Sequence, residues 1–161
     1  MGIRLFISIY FLLFTFSLTT FAVTVEIQDP CSSDIRLTDV SPFSKTQQST
    51  VGTFTVETLE RHHIIYQGSN AAISSIYNTP VSGASVDIIN DQEFFAYGWC
   101  YHFNGTEPGL MPNEILLKNE TDHIFWFFAF SHYLKGEWVS MCTPAYTRPL
   151  NSYATQYCPK N

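Results

Sequence analysis

The stretch GWCYHFNG at positions 98–105 contains a cysteine and a histidine close enough in sequence to suggest nucleophilic chemistry. A Cys-His pair is catalytic only when the thiolate lies beside an imidazole base that a third group orients. Cys100 and His102 stand two apart in a run of alternating aromatic residues, which is typical of a β-strand. On a strand they lie roughly 6.5 to 7 Å apart, too far for direct proton transfer. We therefore expect no catalytic role for this pair.

The other histidines and the acids form no motif typical of a metal site or a hydrolase. The five histidines show neither HExxH nor His-x-His spacing. The acid pairs Asp91 with Glu93 and Glu120 with Asp122 lie in polar, turn-like segments, where carboxylates are normally solvated. No Gly-x-Ser-x-Gly motif is present. We expect no catalytic residue, metal or cofactor, with a small secreted hydrolase, whose acids or histidines are assembled by the fold, as the alternative.

The N-terminus has the composition of a secretory signal peptide. Arg4 precedes the apolar run LFISIYFLLFTFSL, and small residues follow at Thr20 and Ala22. This predicts a signal peptide over residues 1–22 with cleavage after Ala22, and a secreted or periplasmic protein without stable membrane insertion. A retained membrane anchor is the alternative, although the run is short for a bilayer span of about twenty residues. The net charge of −6 disfavours nucleic acids and anionic membranes as partners.

The cysteines are consistent with export to the periplasm or the medium. All of them follow the predicted cleavage site, and no two are close enough in sequence to form a metal knuckle. An even number in an oxidising compartment predicts two disulfides, whose pairing the sequence leaves open among three possibilities. The four residues are Cys31, Cys100, Cys142 and Cys158.

The strand that contains Cys100 is unusually aromatic. Between Glu93 and Phe103, the five residues that share one face are all aromatic. Such a face forms a core, a ligand platform or both. Aromatic side chains with polar tips also line pockets and interfaces. The predicted ligand-binding or partner-binding residues are Tyr97, Trp99, Tyr101 and Trp126.

The elements that position these residues are mostly strands. Alternation of apolar and polar residues predicts strands over 23–28 and 35–40. A helix of about ten residues is expected from Thr55, with Thr53 or Thr55 as its N-cap. Further extended segments are expected over residues 71–77, 85–89, 93–103, 114–118, 123–130 and 137–142.

The order of these elements and two short motifs resemble a known family. One motif is an aromatic strand that ends in Asn-Gly, where the tight turn needs positive φ angles. The other is a strand that opens with aspartate and continues with apolar and aromatic residues. Both are similar to motifs of the transcobalamin C-terminal-like β-grasp domains, which belong to a superfamily that binds soluble ligands. The resemblance covers roughly residues 51–130. The matching residues are Trp99, Tyr101, Asn104 and Gly105 in the first motif, and Asp122, Ile124 and Trp126 in the second.

The resemblance implies an α+β protein with a β-grasp fold, in which a mixed sheet packs on one main helix. We expect this domain over residues 23–142, with extra strands, followed by an irregular tail over 143–161 that a disulfide holds. The implied function is non-catalytic: the domain holds a soluble ligand, cobalamin-like in the best-known relatives, or a partner protein. A structural protein without a small ligand is a further possibility, and exposed sheet edges would indicate it.

Overall fold

The computed structural model describes residues 22–43, 48–148 and 158. This part of the chain contains eight strands and one α-helix, together with three short 3-10 turns. The predicted signal peptide lies outside the described residues except for Ala22, which begins the first strand. The strands are β1 (Ala22–Gln28), β2 (Ile35–Pro42), β3 (Tyr66–Gly68), β4 (Ile73–Ile76), β5 (Val86–Asn90), β6 (Glu93–Phe103), β7 (His123–Leu134) and β8 (Glu137–Pro144), and the helix is α1 (Val51–Arg61).

Six strands form one mixed sheet in the order β2-β1-β7-β6-β5, and β8 pairs with the second half of β7. β1 and β7 are parallel, with Val25 opposite Ile124, whereas the other pairs in this sheet are antiparallel. β3 and β4 form a separate hairpin. β7 is therefore the central strand, because β6 lies along one edge and β1 and β8 share the other.

The alternation of side chains divides β6 and β7 into two faces, which we call the inner face and the outer face. Tyr101 stands opposite Trp126 in the register, and both point to the inner face, where α1 packs. The even-numbered residues of β6 and the odd-numbered residues of β7 point to the outer face. Fully buried residues from three elements form the centre of the inner-face core: Val23, Val25, Ile27, Val51, Leu59, Ile124 and Trp126.

The helix begins at Val51, earlier than the sequence predicts. Thr50 is the N-cap, and its Oγ1 accepts a hydrogen bond from the Thr53 backbone N–H at 3.1 Å. The predicted caps, Thr53 and Thr55, are wrong because both lie inside the helix, where Thr55 is buried and its Oγ1 donates to Val51 O at 2.8 Å. The buried side chains of the helix are Val51, Phe54, Thr55, Thr58 and Leu59.

The strand predicted over 114–118 is also wrong. A 3-10 turn occupies Pro112–Glu114, and after it the segment makes a single isolated bridge, from Leu116 to Thr50. Its backbone bonds go to the residues around the start of α1, where Leu117 N–H donates to Ser49 O at 3.0 Å. The apolar run over residues 115–117 is thus bonded to the helix start and not to a neighbouring strand.

The C-terminal strands extend beyond their predicted ends. β7 continues to Leu134 instead of residue 130, and β8 continues to Pro144 instead of residue 142. The first residues of the predicted irregular tail therefore belong to β8 and to a 3-10 turn at Ala145–Thr147. Residues 149–157 and 159–161 lie outside the described part of the chain.

The prediction of two disulfides is confirmed. Cys31 pairs with Cys158, and Cys100 pairs with Cys142, with Cα atoms 5.6 and 5.8 Å apart. The second bridge joins β6 to β8, which lie on opposite edges of β7. β8 reaches across because its register shifts near Cys142, whose φ is 49°. No cysteine is free, which rules out Cys100 as a nucleophile in this state.

Candidate functional site

The four predicted binding residues lie on the inner face. Trp126 is 1% exposed, and the other three, Tyr97, Trp99 and Tyr101, are 8 to 9% exposed. They pack against one another and against β7, for example Tyr101 on Trp126 with ring centroids 5.0 Å apart. Two neighbouring strands, β6 and β7, bring them together, but the face they share is core rather than an open platform.

The polar tips of these residues are bonded inside the protein. Trp99 Nε1 donates to Thr79 Oγ1 at 2.7 Å, and Trp126 Nε1 donates to Thr55 Oγ1 at 3.0 Å. The Tyr101 hydroxyl donates to Leu110 O at 2.7 Å. Burial, with a smaller effect of Glu114, raises the pKa of Tyr101 to about 12. These contacts indicate a structural role, and direct binding by the four residues stays a prediction.

Arg148 covers one end of the inner face. The sequence did not predict a role for this residue. Its guanidinium lies 3.5 Å from the centroid of the Phe95 ring, and it forms an ion pair with Asp87 at 2.9 Å. It also bonds to the Tyr97 hydroxyl. Nothing in the sequence around Arg148 marks it, because its partners lie fifty or more residues earlier in the chain. The tail is thus fastened to the sheet before Cys158.

At the other end of the sheet, Asn104 and Asp122 join two loops. Asn104 Nδ2 donates to Asp122 Oδ1 at 3.0 Å, and His123 N–H donates to Asn104 Oδ1 at 2.8 Å. Asn104 and Gly105 have φ angles of 52° and 80°, as the predicted tight turn requires. The Asn-Gly turn is therefore held to the start of β7 by side-chain bonds. We call this arrangement the Asn104–Asp122 clamp.

The carboxylate of Asp122 is fully occupied by donors from the chain. Besides Asn104, the backbone N–H groups of Lys118 and Asn119 donate to Oδ2 at 2.8 and 3.0 Å. Burial raises the pKa of this group, but the hydrogen bonds from Asn119, Lys118 and Asn104 outweigh burial and hold the pKa below its usual value. A low pKa and occupied lone pairs suit a structural carboxylate and not a general acid.

A cavity of about 420 Å³ opens beside the clamp. This volume is in the range of small-molecule sites, which are largely apolar with a few polar groups. Two of its wall residues, Leu110 and Leu116, are 57% and 44% exposed, so part of the rim of the cavity is apolar. Glu114 is also on the wall, but its Oε2 accepts a hydrogen bond from Met111 N–H at 2.7 Å. The cavity is also lined by Phe103, Ile115 and Lys118.

The arrangement most similar to a catalytic constellation is at the C-terminal end of α1. Asp39 Oδ1 lies 2.8 Å from His62 Nε2, and Ser41 Oγ donates to Asp39 Oδ2 at 2.6 Å. In a nucleophile site the serine would contact the histidine, whereas here both contact the aspartate. Arg61 also binds Asp39 at 2.6 Å. Burial raises the pKa of Asp39, but these three bonds outweigh burial and lower the pKa, so the cluster ties the helix end to β2.

The remaining histidines are separated. His123 pairs with Glu26 and His132 with Glu93, each at 3.0 Å, while His102 packs on Phe127 on the outer face. Among the described residues, no three histidines, cysteines or acids are placed to hold a metal ion. No helix in the same part of the chain is long and apolar enough to cross a membrane.

The outer face carries a second set of aromatic side chains. Phe94 and Tyr133 are stacked with centroids 4.7 Å apart, and Trp138 packs edge-on against both at 5.6 and 5.4 Å. Trp138 is 49% exposed. We call Phe94, Tyr133 and Trp138 the outer ring cluster. Its signal in the sequence is weak, because its three residues come from three different strands.

Comparison with known proteins leaves the family open. No protein-family model and no curated protein matches this chain. A solved structure of a proposed metal-binding protein from Ruminococcus gnavus aligns with 66% of this chain and 94% of its own, at 14% identity and a TM-score of 0.37. A similarity this low carries no argument about the fold or the ligand of this chain.

Proposed function

We propose that this protein is an exported, non-catalytic binding domain that holds a soluble ligand in the cavity beside the Asn104–Asp122 clamp. The observation that carries the proposal is the cavity itself, whose walls are mostly apolar and whose two carboxylates are engaged by the chain's own N–H groups. Such a site binds an apolar body and orients it with a few polar groups. Both of its acids accept hydrogen bonds from the chain, which disfavours the alternative of a small hydrolase.

We propose further that the fold is a β-grasp of the transcobalamin C-terminal-like type. The support is topological: a first hairpin (β1 and β2) is followed by the helix, and the later strand β7 lies parallel to β1. The two motifs that carry the resemblance meet in space, since Asn104 contacts Asp122 at 3.0 Å. A cobalamin-like ligand remains an expectation from the resemblance.

Export is part of the same proposal. Two disulfides in a chain of this size are typical of proteins that fold in an oxidising compartment. The apolar N-terminal run would direct the chain there, and the site of cleavage is proposed to be after Ala22. The final location, whether periplasm or medium, depends on the host cell.

A thermal-shift experiment on the oxidised protein tests the ligand proposal. The probes are hydroxocobalamin, a free-base porphyrin and haemin. A probe present at about one hundred times its dissociation constant adds about 2.7 kcal/mol to the free energy of unfolding, on the order of 10 °C in Tm. We expect at least one probe to give such a shift and Leu116→Gln to abolish it.

The matched control is Val40→Gln, because Val40 is 62% exposed and lies on β2, away from the cavity. It should bind as the unchanged protein does. A shift that survives Leu116→Gln would place the ligand elsewhere, and the absence of a shift with every probe would contradict a ligand of this type.

A further inference from the structure

A second pocket lies between the end of α1, the strand β2 and the loop that follows β4. Its volume is about 280 Å³, just below the usual range of small-molecule sites, about 300 to 1,000 Å³. None of the described residues on its wall is an acid, although acids outnumber lysines and arginines by fourteen to eight in the chain. We call it the Arg36–His63 pocket. Its wall residues are Arg36, His63, Ile64, Ile65, Tyr77 and Asn78.

His63 occupies a backbone position that favours glycine. The end of α1 has the hydrogen bonds of a Schellman motif, because Ile64 N–H donates to Leu59 O at 2.9 Å and His63 N–H donates to Glu60 O at 3.1 Å. His63 follows the C-cap of the helix and has a φ of 53°, a conformation that a Cβ atom disfavours. Its exposed side chain makes no hydrogen bond or ion pair with the described residues. The fold thus accepts an unfavourable residue that no intrachain polar contact explains.

Another part of the wall has the same backbone conformation. Tyr77 and Asn78 have φ angles of 57° and 60°, which is common for asparagine but rare for a bulky aromatic residue. Tyr77 N–H donates to Ile65 O at 3.0 Å, which fastens this turn beside the end of the helix. Three of the seven non-glycine residues with positive φ in the described chain therefore line this one pocket. Such residues concentrate at binding sites, where the surrounding structure holds them.

Arg36 is the charged group of the pocket, and its guanidinium is held in place with donors to spare. It lies 4.1 Å from the centroid of the Tyr77 ring, and this stacking uses none of its five N–H groups. One of its nitrogens lies 3.4 Å from Asp29 Oδ2, longer than the 2.7 to about 2.9 Å of a strong charge-assisted bond. The guanidinium forms no other hydrogen bond with the described residues, and half of the side chain is exposed.

These groups favour a singly charged acid with an apolar body. A guanidinium pairs with a carboxylate through two parallel N–H bonds, and a histidine and an asparagine can donate further bonds to the same group. A doubly charged phosphate is disfavoured, because Asp29 offsets part of the charge of Arg36 and the C-terminal end of a helix carries negative partial charge. Ile65 is 62% exposed and supplies the apolar surface for the body of the ligand.

We propose that the Arg36–His63 pocket binds a small organic carboxylate, with the carboxylate on Arg36 and His63 and the apolar body on Ile65. This pocket shares no wall residue with the cavity beside the Asn104–Asp122 clamp. It does not depend on the ligand proposed for that cavity.

The test is a titration of the ¹⁵N-labelled, oxidised protein with benzoate, phenylacetate and hexanoate, each to about 20 mM, which detects dissociation constants of about 1 mM. We expect at least one acid to move the amide resonances of His63 and Asn78 saturably, while that of Leu116 in the other cavity does not move. Benzamide, which has the ring of benzoate without its charge, should bind at least about tenfold more weakly than the best acid. Phenyl phosphate should bind no more tightly than that acid.

A charge variant and its control decide whether Arg36 holds the carboxylate. Arg36→Gln should weaken binding at least about tenfold, with the indole resonances of Trp99 and Trp126 unchanged as proof of folding. Lys135→Gln removes the same charge from the turn between β7 and β8 and should leave binding unchanged.

His63→Gly separates binding from folding. Glycine suits the position after the C-cap, so this variant should raise Tm by about 2 to 4 °C and still weaken binding about threefold. A residue kept only for the fold would instead lower Tm when it is replaced.

Four results would overturn the proposal: no saturable shift with any of the acids, benzamide binding as tightly as the best acid, phenyl phosphate binding more tightly, or undiminished binding by Arg36→Gln. A lower Tm in His63→Gly would overturn the assignment of His63 to the site, because the histidine would then be explained by the helix end itself.

Discussion

The inner and outer faces of the central strands are both rich in aromatic residues, but they use them differently. On the inner face the rings are buried in the core, and two threonine hydroxyls and the Leu110 carbonyl accept their polar hydrogens. On the outer face Trp138 is half exposed, and within the described residues its N–H has no such acceptor. The aromatic content of a strand therefore does not by itself identify a binding surface. The role of the rings depends on whether other elements of the protein pack over the face on which they lie.

The largest difference between the faces should appear in the free energy of unfolding that is lost when one tryptophan side chain is removed. Trp126→Ala deletes a side chain that is 1% exposed and should lower the free energy of unfolding by about 3 to 5 kcal/mol. Trp138→Ala should lower it by less than about 1 kcal/mol, because half of that side chain already faces water. Urea unfolding with the disulfides intact measures both values. Equal losses would show that the two faces are packed alike.

The disulfide across β7 should give the next largest effect. Replacing Cys100 and Cys142 together by alanine removes a bridge that spans 42 residues and should cost about 2 to 4 kcal/mol, mainly by freeing the unfolded chain. The inner face should keep its structure, which can be read from unchanged Trp99 and Trp126 indole resonances in the double variant. Disordering of those two resonances would instead mean that the outer bridge holds the inner core in place.

The clamp at the end of the inner face should depend on pH. The pKa of Asp122 is below its ordinary value of 3.8 in the folded protein, because hydrogen bonds outweigh the opposing effect of burial. A depressed pKa stabilises the fold above the unfolded-state value, and this contribution is lost as the pH falls through the folded-state value. Asp122→Asn should therefore cost about 1 to 3 kcal/mol at pH 7.

The cost of Asp122→Asn should shrink below about pH 4, as measured by urea unfolding from pH 3 to pH 7. Asn119→Ala is the matched control, because it removes only a contact of 3.5 Å to the same carboxylate. A cost for Asp122→Asn that is constant across this range would show that the charge of Asp122 is not what the clamp uses.

The smallest effect on the free energy of unfolding is expected from the threonine hydroxyls that accept hydrogen bonds from the inner-face tryptophans. Thr55→Val removes the acceptor for Trp126 Nε1 at nearly constant volume, and it should cost about 1 to 2 kcal/mol. Thr53→Val is a suitable comparison, since Thr53 lies on the same helix but is not buried. If both substitutions cost the same, the inner indoles do not depend on their internal acceptors.

Much of the strand structure follows from local pattern. The bounds of β6 and the positive φ angles at Asn104 and Gly105 are as predicted, because alternation and turn chemistry act between near neighbours. The number of disulfides follows in the same way from an even cysteine count. The start of α1 is missed because Thr53 and Thr55, residue types that commonly cap helices, lie inside the helix and Thr50 is the cap.

Other features depend on contacts that no local pattern records. Arg148 reaches Asp87 and Phe95 across more than fifty residues, and Trp138 joins Phe94 only when β7 lies between their strands. The cavity is formed by loops on both sides of the clamp. The proposed family and ligand rest on motifs whose residues meet in space, as the Asn104 to Asp122 contact shows.

The sequence by itself determined the extended character of β6 and β7, the turn at Asn104 and Gly105, and the cysteines available for pairing. Side-chain alternation and backbone preference are properties of adjacent residues, so a chain carries them before it folds. Only the tertiary structure decided which aromatic face is covered by α1, which cysteines pair, and where a cavity remains. Those outcomes depend on how distant segments exclude water from one face and leave the other open, which no single segment specifies.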